Sequence, residues 1–389
     1  MSWKKKFVRN WGRLGMKFNR YALSDLATIK YGKNQKKVLS ESGNIPIYGT
    51  GGLMGYATTA LYDKPSVLIG RKGTIGKVKY VEHPFWTVDT LFYTIINTDI
   101  VLPKYLYYVM SLIDLNNYNE GTTIPSLRTE TLNRLEFDIP SLVEQETILS
   151  CLNPIDEKIA LNNAINNNLE QQAMAIFNNA IEQSKSVTYV ELGSLADVKG
   201  GKRLPKGANL MSIPNSHPYI RVRDLNDVVF ASLSANYEYV DDETQKTISR
   251  YITTTDDVLI SIVGTIGLTA IVDKSLNMAN LTENCVKVTN LHGISPEYLL
   301  LYLRSQHGSE EIKKGTVGAV QAKLPIKNIQ ALSVPLLPQS DLQSLNDTLK
   351  VLFNQLSINV AESKCLTDIR DSLLPKLMSG ELDVSNLDL

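Results

Sequence analysis

Two helical patterns, nearly two hundred residues apart, constrain this chain more than any other feature. The first runs from Ile148 to Ala180 through Ile148, Leu152, Ile155, Ile159, Asn162, Asn166, Leu169, Ala173, Ile176 and Ala180. The second runs from Leu342 to Leu373 through Leu342, Leu345, Leu349, Leu352, Leu356, Asn359, Ser363, Leu366 and Leu373. Steps of three and four residues make the seam of a coiled coil. Both seams turn polar at matching points, Asn162 and Asn359, and a shift of 197 carries Ile155, Ile159, Leu169 and Ile176 onto Leu352, Leu356, Leu366 and Leu373. A lone helix on the order of 50 Å long cannot bury such a stripe. Two helices with matching seams bury each other. Each closes an equivalent half of the chain, so an antiparallel pair with pseudo-twofold symmetry is the economical arrangement. Asn162 and Asn359 are then expected to meet at the axis and fix the register, as polar seam residues do.

The rest of the chain is duplicated as well. Leu23-Ser24-Asp25-Leu26-Ala27 returns as Leu192-Gly193-Ser194-Leu195-Ala196. Val67-Leu68-Ile69 with Gly73-Thr74-Ile75-Gly76 returns as Val258-Leu259-Ile260 with Gly264-Thr265-Ile266-Gly267. Pro103-Lys104-Tyr105-Leu106 returns as Pro296-Glu297-Tyr298-Leu299, Gly121-Thr122 as Gly315-Thr316, and Ile139-Pro140 as Val334-Pro335. Order is kept while the offset drifts from 169 to 197, so loops differ in length. Val67–Ile69 and Lys77–Val81 read as strands about a glycine-rich turn, 102–112 as a short amphipathic helix, and Leu135, Phe137 and Ile139 as an alternating strand. The fold class is therefore α+β, with two mixed α/β globules joined by the two long helices. The expected divisions are 1–143 and 184–340 for the globules, 144–183 and 341–379 for the helical spacers, and 380–389 for a tail.

At 389 residues the chain suits more than one core. No apolar run approaches the roughly 18 residues of a membrane span. The basic start, residues 1–20, lacks an apolar signal core, so a cytoplasmic location is expected. Cys151, Cys285 and Cys365 are scattered and odd in number, which fits a reducing compartment. His83, His217, His292 and His307 are isolated, and no metal site is expected. The zero net charge conceals a segregation. Residues 1–143 hold 19 Lys/Arg against 11 Asp/Glu, and residues 183–340 hold 16 against 15. The helical segments 144–182 and 341–389 hold 1 against 6 and 4 against 8. Neutral-to-basic globules suit phosphate, and acidic helices are repelled by it.

Gly70-Arg71-Lys72-Gly73-Thr74-Ile75-Gly76 has the wrong spacing for either phosphate-loop fingerprint, and a strand rather than a helix follows it. The second copy keeps the glycines and loses the Arg-Lys pair, so the glycines read as scaffold and Arg71, Lys72 and Lys77 as candidate contacts. Further candidates for DNA binding are Lys33, Lys36, Thr122, Thr123, Lys199, Lys202, Arg203, Arg221, Arg223 and Thr316. Arginine reads guanine edges bidentately, and lysine, threonine and backbone amides hold phosphates. An ordinary solvated basic turn accounts for Arg71, Lys72 and Lys77 equally well, and for any one of the others surface solubility is the better account. Tyr48, Phe85 and Trp86 read as core or sheet-face aromatics. Asn153-Pro154-Ile155-Asp156 glances at an amino-methyltransferase motif but lacks its second proline and its aromatic, and it falls in the helical seam. No nuclease centre, catalytic triad or helicase motif is present, so no catalytic residue is assigned.

Together these features resemble the specificity, or S, subunit of Type I restriction-modification systems over about residues 21–384. The marks are Ile47-Tyr48-Gly49-Thr50-Gly51-Gly52, Gly70 to Gly76, Ile139-Pro140 through Glu144-Gln145, Leu169-Glu170, and above all Leu373-Leu374-Pro375-Lys376-Leu377-Met378-Ser379-Gly380-Glu381-Leu382. The resemblance implies two target recognition domains, each reading half of a split sequence in double-stranded DNA. It implies helices that set the unread spacing and dock two modification (methyltransferase) subunits, with restriction (translocase/nuclease) subunits joining them. It implies no cofactor in this chain, S-adenosylmethionine, ATP and Mg belonging to the partners. The first copy has no Leu-Pro-Lys-Leu after Phe177, so that motif marks the chain end only, and the near-neutral second globule departs from the basic surface expected of it. A coiled-coil adaptor that binds only proteins is the competing reading, separated by salt-dependent binding of duplex DNA. A fused methyltransferase would require binding of S-adenosylmethionine by the isolated chain.

Overall fold

The structure, a computed structural model, describes residues 16–234, 237–318 and 321–382. The basic start up to residue 15 and the expected tail beyond residue 382 lie outside the described residues. Two compact units result among the described residues, one of residues 16–160 with 363–382 and one within residues 161–362.

In the first unit a four-stranded antiparallel sheet runs in the order Ala27–Tyr31, Leu91–Ile96, Ser66–Gly70, Val78–Val81. Val67-Leu68-Ile69 lies in a strand buried along its whole length, which is why it is a continuous apolar run rather than an alternating one. A second sheet places Ile45–Gly49 between Gly52–Ala57, antiparallel, and Trp86–Thr87, parallel. Asn19–Ala22 pairs with Glu136–Ile139 as a separate ribbon. Pro103, at the first turn of the helix Pro103–Ser111, loses no hydrogen bond there.

The second unit repeats this plan. Asp197–Gly200, Cys285–Thr289, Val258–Ser261 and Thr269–Val272 form the antiparallel sheet, to which Phe230–Ala231 adds a parallel edge. Pro218–Ile220 lies between Glu238–Tyr239, antiparallel, and Asn280–Leu281, parallel. Thr188–Glu191 pairs with Ser333–Leu336. The duplication thus holds at the level of strand pairing, where the sequence match had faded.

The two long helices are Leu142–Gln183 and Gln339–Ser379, 42 and 41 residues, each about 60 Å long. The first opens with a capping box: Ser141 N–H donates to Glu144 Oε2 at 2.8 Å and Glu144 N–H to Ser141 Oγ at 3.3 Å. Each unit takes the start of one helix and the end of the other into its core. In the first unit Ile148 and Leu152 share a core with Leu374, Leu377 and Met378 of the closing motif. In the second, Ala173 and Phe177 share one with Leu342, Leu345, Leu349 and Phe353. Fully burying each leucine stabilises by about 2 kcal/mol.

Within each unit the helices pair antiparallel, and two expectations about the seam are corrected. Asn162 and Asn359 are not bonded to each other. Asn359 Nδ2 donates to Asn166 Oδ1 at 2.9 Å, and Asn162 Nδ2 to Glu362 Oε2 at 2.8 Å. The register that sets the apolar leucines against their domain cores places each asparagine about one turn from the other. Ile176 is 37% exposed, and Phe177, 2% exposed, takes the buried position. Its ring meets Tyr298 edge to face at 5.0 Å, because the core of the second unit, in which residues of the globule join those of the other long helix, covers this last turn.

In the first unit Asp156 ties both helix segments to the globule. It accepts from Tyr108 Oη, from Arg370 Nη1 at 3.1 Å, and faces Lys104 Nζ at 3.3 Å. Burial alone would push its carboxyl up. The hydrogen bonds from Tyr108 and Arg370 and the charge of Lys104 outweigh this and hold it below the usual carboxylate range. Asp156 of the Asn-Pro-Ile-Asp stretch is thus a clasp inside a continuous helix.

Candidate nucleic-acid interface

In the first unit, loops from four elements converge on the edge where the two sheets meet. Gly32 N–H donates to Leu91 O at 3.0 Å and Lys33 N–H to Thr87 O at 2.8 Å. A Cβ at Gly32 would collide with the Val88 carbonyl, so only glycine allows this approach. Arg71 N–H donates to Thr90 O at 2.8 Å, and Gly73 N–H to Pro125 O at 2.9 Å. Leu127 N–H donates to Arg71 O at 2.9 Å, which lays the segment Gly121–Ser126 against the glycine-rich turn. Asn119 Oδ1 holds that segment shut, accepting from Gly121 N–H and Ser126 N–H, each at 2.9 Å. The structure therefore brings Lys33, Arg71, Lys72, Thr122 and Thr123 to one edge.

These side chains differ in freedom. Lys33, Lys36, Lys72 and Lys77 are exposed and form no ion pair among the described residues. Thr122 and Thr123 stand exposed on the segment held by Asn119. Arg71 is partly committed: its guanidinium donates to Asp89 O at 2.9 Å and lies 5.0 Å from the centre of the Tyr31 ring. Tyr48, Phe85 and Trp86 are buried. Trp86 Nε1 donates to Lys33 O at 2.8 Å and so anchors the lysine loop. Lys79, which the sequence reading passed over, lies with Nζ 3.7 Å from the centre of the Tyr48 ring, and burial lowers its pKa. Its signal was the alternation of Val78-Lys79-Tyr80-Val81 on a strand opposite Leu68.

The second unit builds the same edge. A Cβ at Gly201 would collide with the Thr282 carbonyl, and Lys202 N–H donates to Leu281 O at 2.8 Å. Leu324 N–H donates to Ile262 O at 3.0 Å, the counterpart of Leu127 on Arg71. Gly264 keeps the positive φ of Gly73, at 82° and 86°. Ile262, at 4% exposure, replaces Arg71.

Four candidate cations of this unit are committed to carboxylates. Lys199 pairs with Asp197 at 3.0 Å and Arg203 with Glu283 at 2.8 Å. Arg221 pairs with Glu238, and Arg223 reaches both Glu238 at 2.8 Å and Asp224 at 3.6 Å. Hydrogen bonds from Lys199 and Asn290 hold the Asp197 carboxyl below its usual range. Lys202 Nζ lies 5.4 Å from the centre of the Tyr251 ring. Thr316 is half-buried and donates its hydroxyl to Ile312 O at 2.8 Å, finishing a helix. Lys323, bridged to Val263 where Ser126 faces Lys72, is exposed and unpaired among the described residues. The sequence signal for it was the 197-residue shift from Ser126.

No cluster of three or more potential metal-ligating His, Cys, Asp or Glu residues occurs among the described residues, and no described helix is long and apolar enough to cross a membrane. What the edges offer is cationic and hydroxyl groups on glycine-shaped loops, the groups that meet phosphates and base edges.

Comparison with known proteins agrees. The MjaIX Type I restriction enzyme specificity subunit of Methanocaldococcus jannaschii is 24% identical over 354 residues, covering 84% of this chain and 80% of that one. The HindI specificity subunit of Haemophilus influenzae is 22% identical over 391 residues, covering 79% and 84%. The fold matches the crystal structure of a Type I restriction-modification S subunit from M. genitalium with a TM-score of 0.57 at 17% identity, over 95% of this chain and 98% of that one. The family described as the Type I restriction modification DNA specificity domain matches twice, at residues 16–171 and 184–366, one match to each copy of the duplicated fold. The chain belongs to that family and is a Type I specificity subunit.

Proposed function

We propose that the segments 1–143 and 184–340 each read one half of a bipartite target in double-stranded DNA. The long helices fix the unread distance between the halves and dock two modification subunits. Restriction subunits complete the assembly, in the cytoplasm. Chemistry resides in the partners, which bring S-adenosylmethionine, ATP and Mg, and this chain contributes recognition without a catalytic residue. The observation that carries the reading is the repeated edge: the same close approach at Gly32 and Gly201, and the same strap on the turns at Gly73 and Gly264, carrying different side chains in the two copies. A conserved frame with divergent tips is what two independent half-site readers require.

Exchange of residues 184–340 for the corresponding segment of another family member tests it. Methylation mapping of cells carrying the hybrid should show one half-site changed and the other kept. A change in both halves overturns the modular reading. Absence of salt-dependent duplex binding by the assembled protein favours the adaptor instead.

A further inference from the structure

The strand Gly52–Ala57 carries large apolar side chains where an edge strand ordinarily carries charge. Leu53 is 54% exposed, Met54 55% and Tyr56 45%, with Leu39 alongside at 52%. Pairing with Ile45–Gly49 is regular except at one point: Ile47 faces Gly55 and Tyr48 faces Leu53, so Met54 is an extra, bulged residue. A bulge re-aims a side chain, and here it leaves consecutive residues, Leu53 and Met54, both in solvent. Gly55, at φ 148°, completes the distortion. The tip before them, Thr50-Gly51-Gly52, has open space around both glycines.

This hairpin belongs to the first recognition edge. A Cβ on Gly73 would lie 3.8 Å from Thr50 Oγ1, so the tip stands beside the Arg71-Lys72 turn. On its other side Ser40 N–H donates to Tyr56 O at 3.0 Å and Thr58 N–H to Val38 O at 3.0 Å, which sets the exposed Lys36 and Lys37 along the strand. An apolar strip flanked by lysines that form no ion pair among the described residues complements a surface whose rim is phosphate and whose floor carries methyl groups. In duplex DNA the apolar group on a groove floor is the thymine C5-methyl, displayed in the major groove, which is wide enough for a two-stranded ribbon. The minor groove, about 6 Å wide, is too narrow for one.

We propose that the hairpin Ile45–Ala57 enters the major groove of the half-site read by residues 1–143, where Leu53 and Met54 recognise thymine by its methyl group. This rests on the DNA-reading role proposed above and names the base chemistry of one half-site. Among the described residues the second copy has no such hairpin, since Glu238–Tyr239 pairs with Pro218–Ile220 only after an intervening segment, so the other half-site is read without it.

The test uses the full chain assembled with its modification subunits. Selection from random duplexes first fixes both half-sites. Each thymine is then replaced singly by deoxyuridine, which removes only the methyl. At one or two positions of the first half-site the replacement should weaken binding roughly fourfold, the effect of one buried methyl-sized group. Leu53→Ser and Met54→Ser should abolish that discrimination there and leave thymine-to-deoxyuridine effects in the other half-site unchanged, which serves as a control for folding within the same molecule. Equal deoxyuridine effects in wild type and variants, or variants that lose a modification subunit while keeping the discrimination, overturn the proposal while leaving DNA recognition standing. Failure to select any sequence overturns the recognition reading itself.

Discussion

The two repeated segments, 1–143 and 184–340, share a frame and differ in what their cations do. In the first, Lys33, Lys36, Lys72 and Lys77 face solvent without acidic partners among the described residues. In the second, Lys199, Arg203, Arg221 and Arg223 are held by Asp197, Glu283, Glu238 and Asp224. Part of the near balance of 16 basic and 15 acidic residues in 183–340 is therefore local pairing. A free lysine releases counterions on meeting a phosphate, whereas a paired arginine must first give up its carboxylate. In the proposed role, the first edge drives affinity. The second has its guanidinium groups fixed in direction by carboxylates.

The largest effect expected from this contrast is on the first edge. Glutamine at Lys33, Lys36, Lys72 and Lys77 together should reduce the salt slope of duplex binding by about 3.6 and weaken binding roughly a thousandfold at about 0.15 M salt. Titrations of the assembled protein over a salt series measure both, and an unchanged slope would remove these lysines from the interface.

A smaller effect, of opposite sign, is expected on the second edge. Glu238→Gln and Glu283→Gln release Arg221 and Arg203 and leave Arg223 with Asp224 alone. Each freed arginine that meets a phosphate should tighten binding by about fivefold at about 0.15 M salt and steepen the slope by about 0.9. Weaker binding would instead mean that the carboxylates aim the arginines and that preorganisation outweighs free charge.

The smallest effect concerns the clasps between globule and helices, which differ in sign between the units. Asp156 titrates below the usual carboxylate range, so it stabilises the first unit above the unfolded carboxyl value of about 3.9, and that contribution is lost as pH falls below it. In the second unit burial raises Glu170 despite Arg304 at 3.4 Å, so its contribution rises as pH falls. Asp156→Asn should cost about 1–2 kcal/mol at neutral pH by loosening Arg370 and flatten the loss of stability below about pH 4. Denaturant melts across pH measure this, and a slope identical to wild type would show that Asp156 is not the titrating group.

The sequence by itself determined the duplication, the two long helices and the family, because each is written in short-range terms. A 3.5-residue period, a proline at a helix start and a run such as Val67-Leu68-Ile69 depend on neighbours along the chain. It also located loops rich in candidate contacts. Only the tertiary structure decided which candidates are free. Glu238 lies fifteen or more residues from Arg221 and Arg223, and Glu283 eighty residues from Arg203, so no local pattern announces those pairs. The seam was misread at its ends for the same reason. Phe177 replaces Ile176 because a domain core, and not a partner helix alone, covers that turn, and Asn359 finds Asn166 because leucines packed against the globules set the register. Periodicity fixes which face of a helix is apolar. What covers that face, and which charges are already taken, depends on surfaces that meet only once the chain has folded.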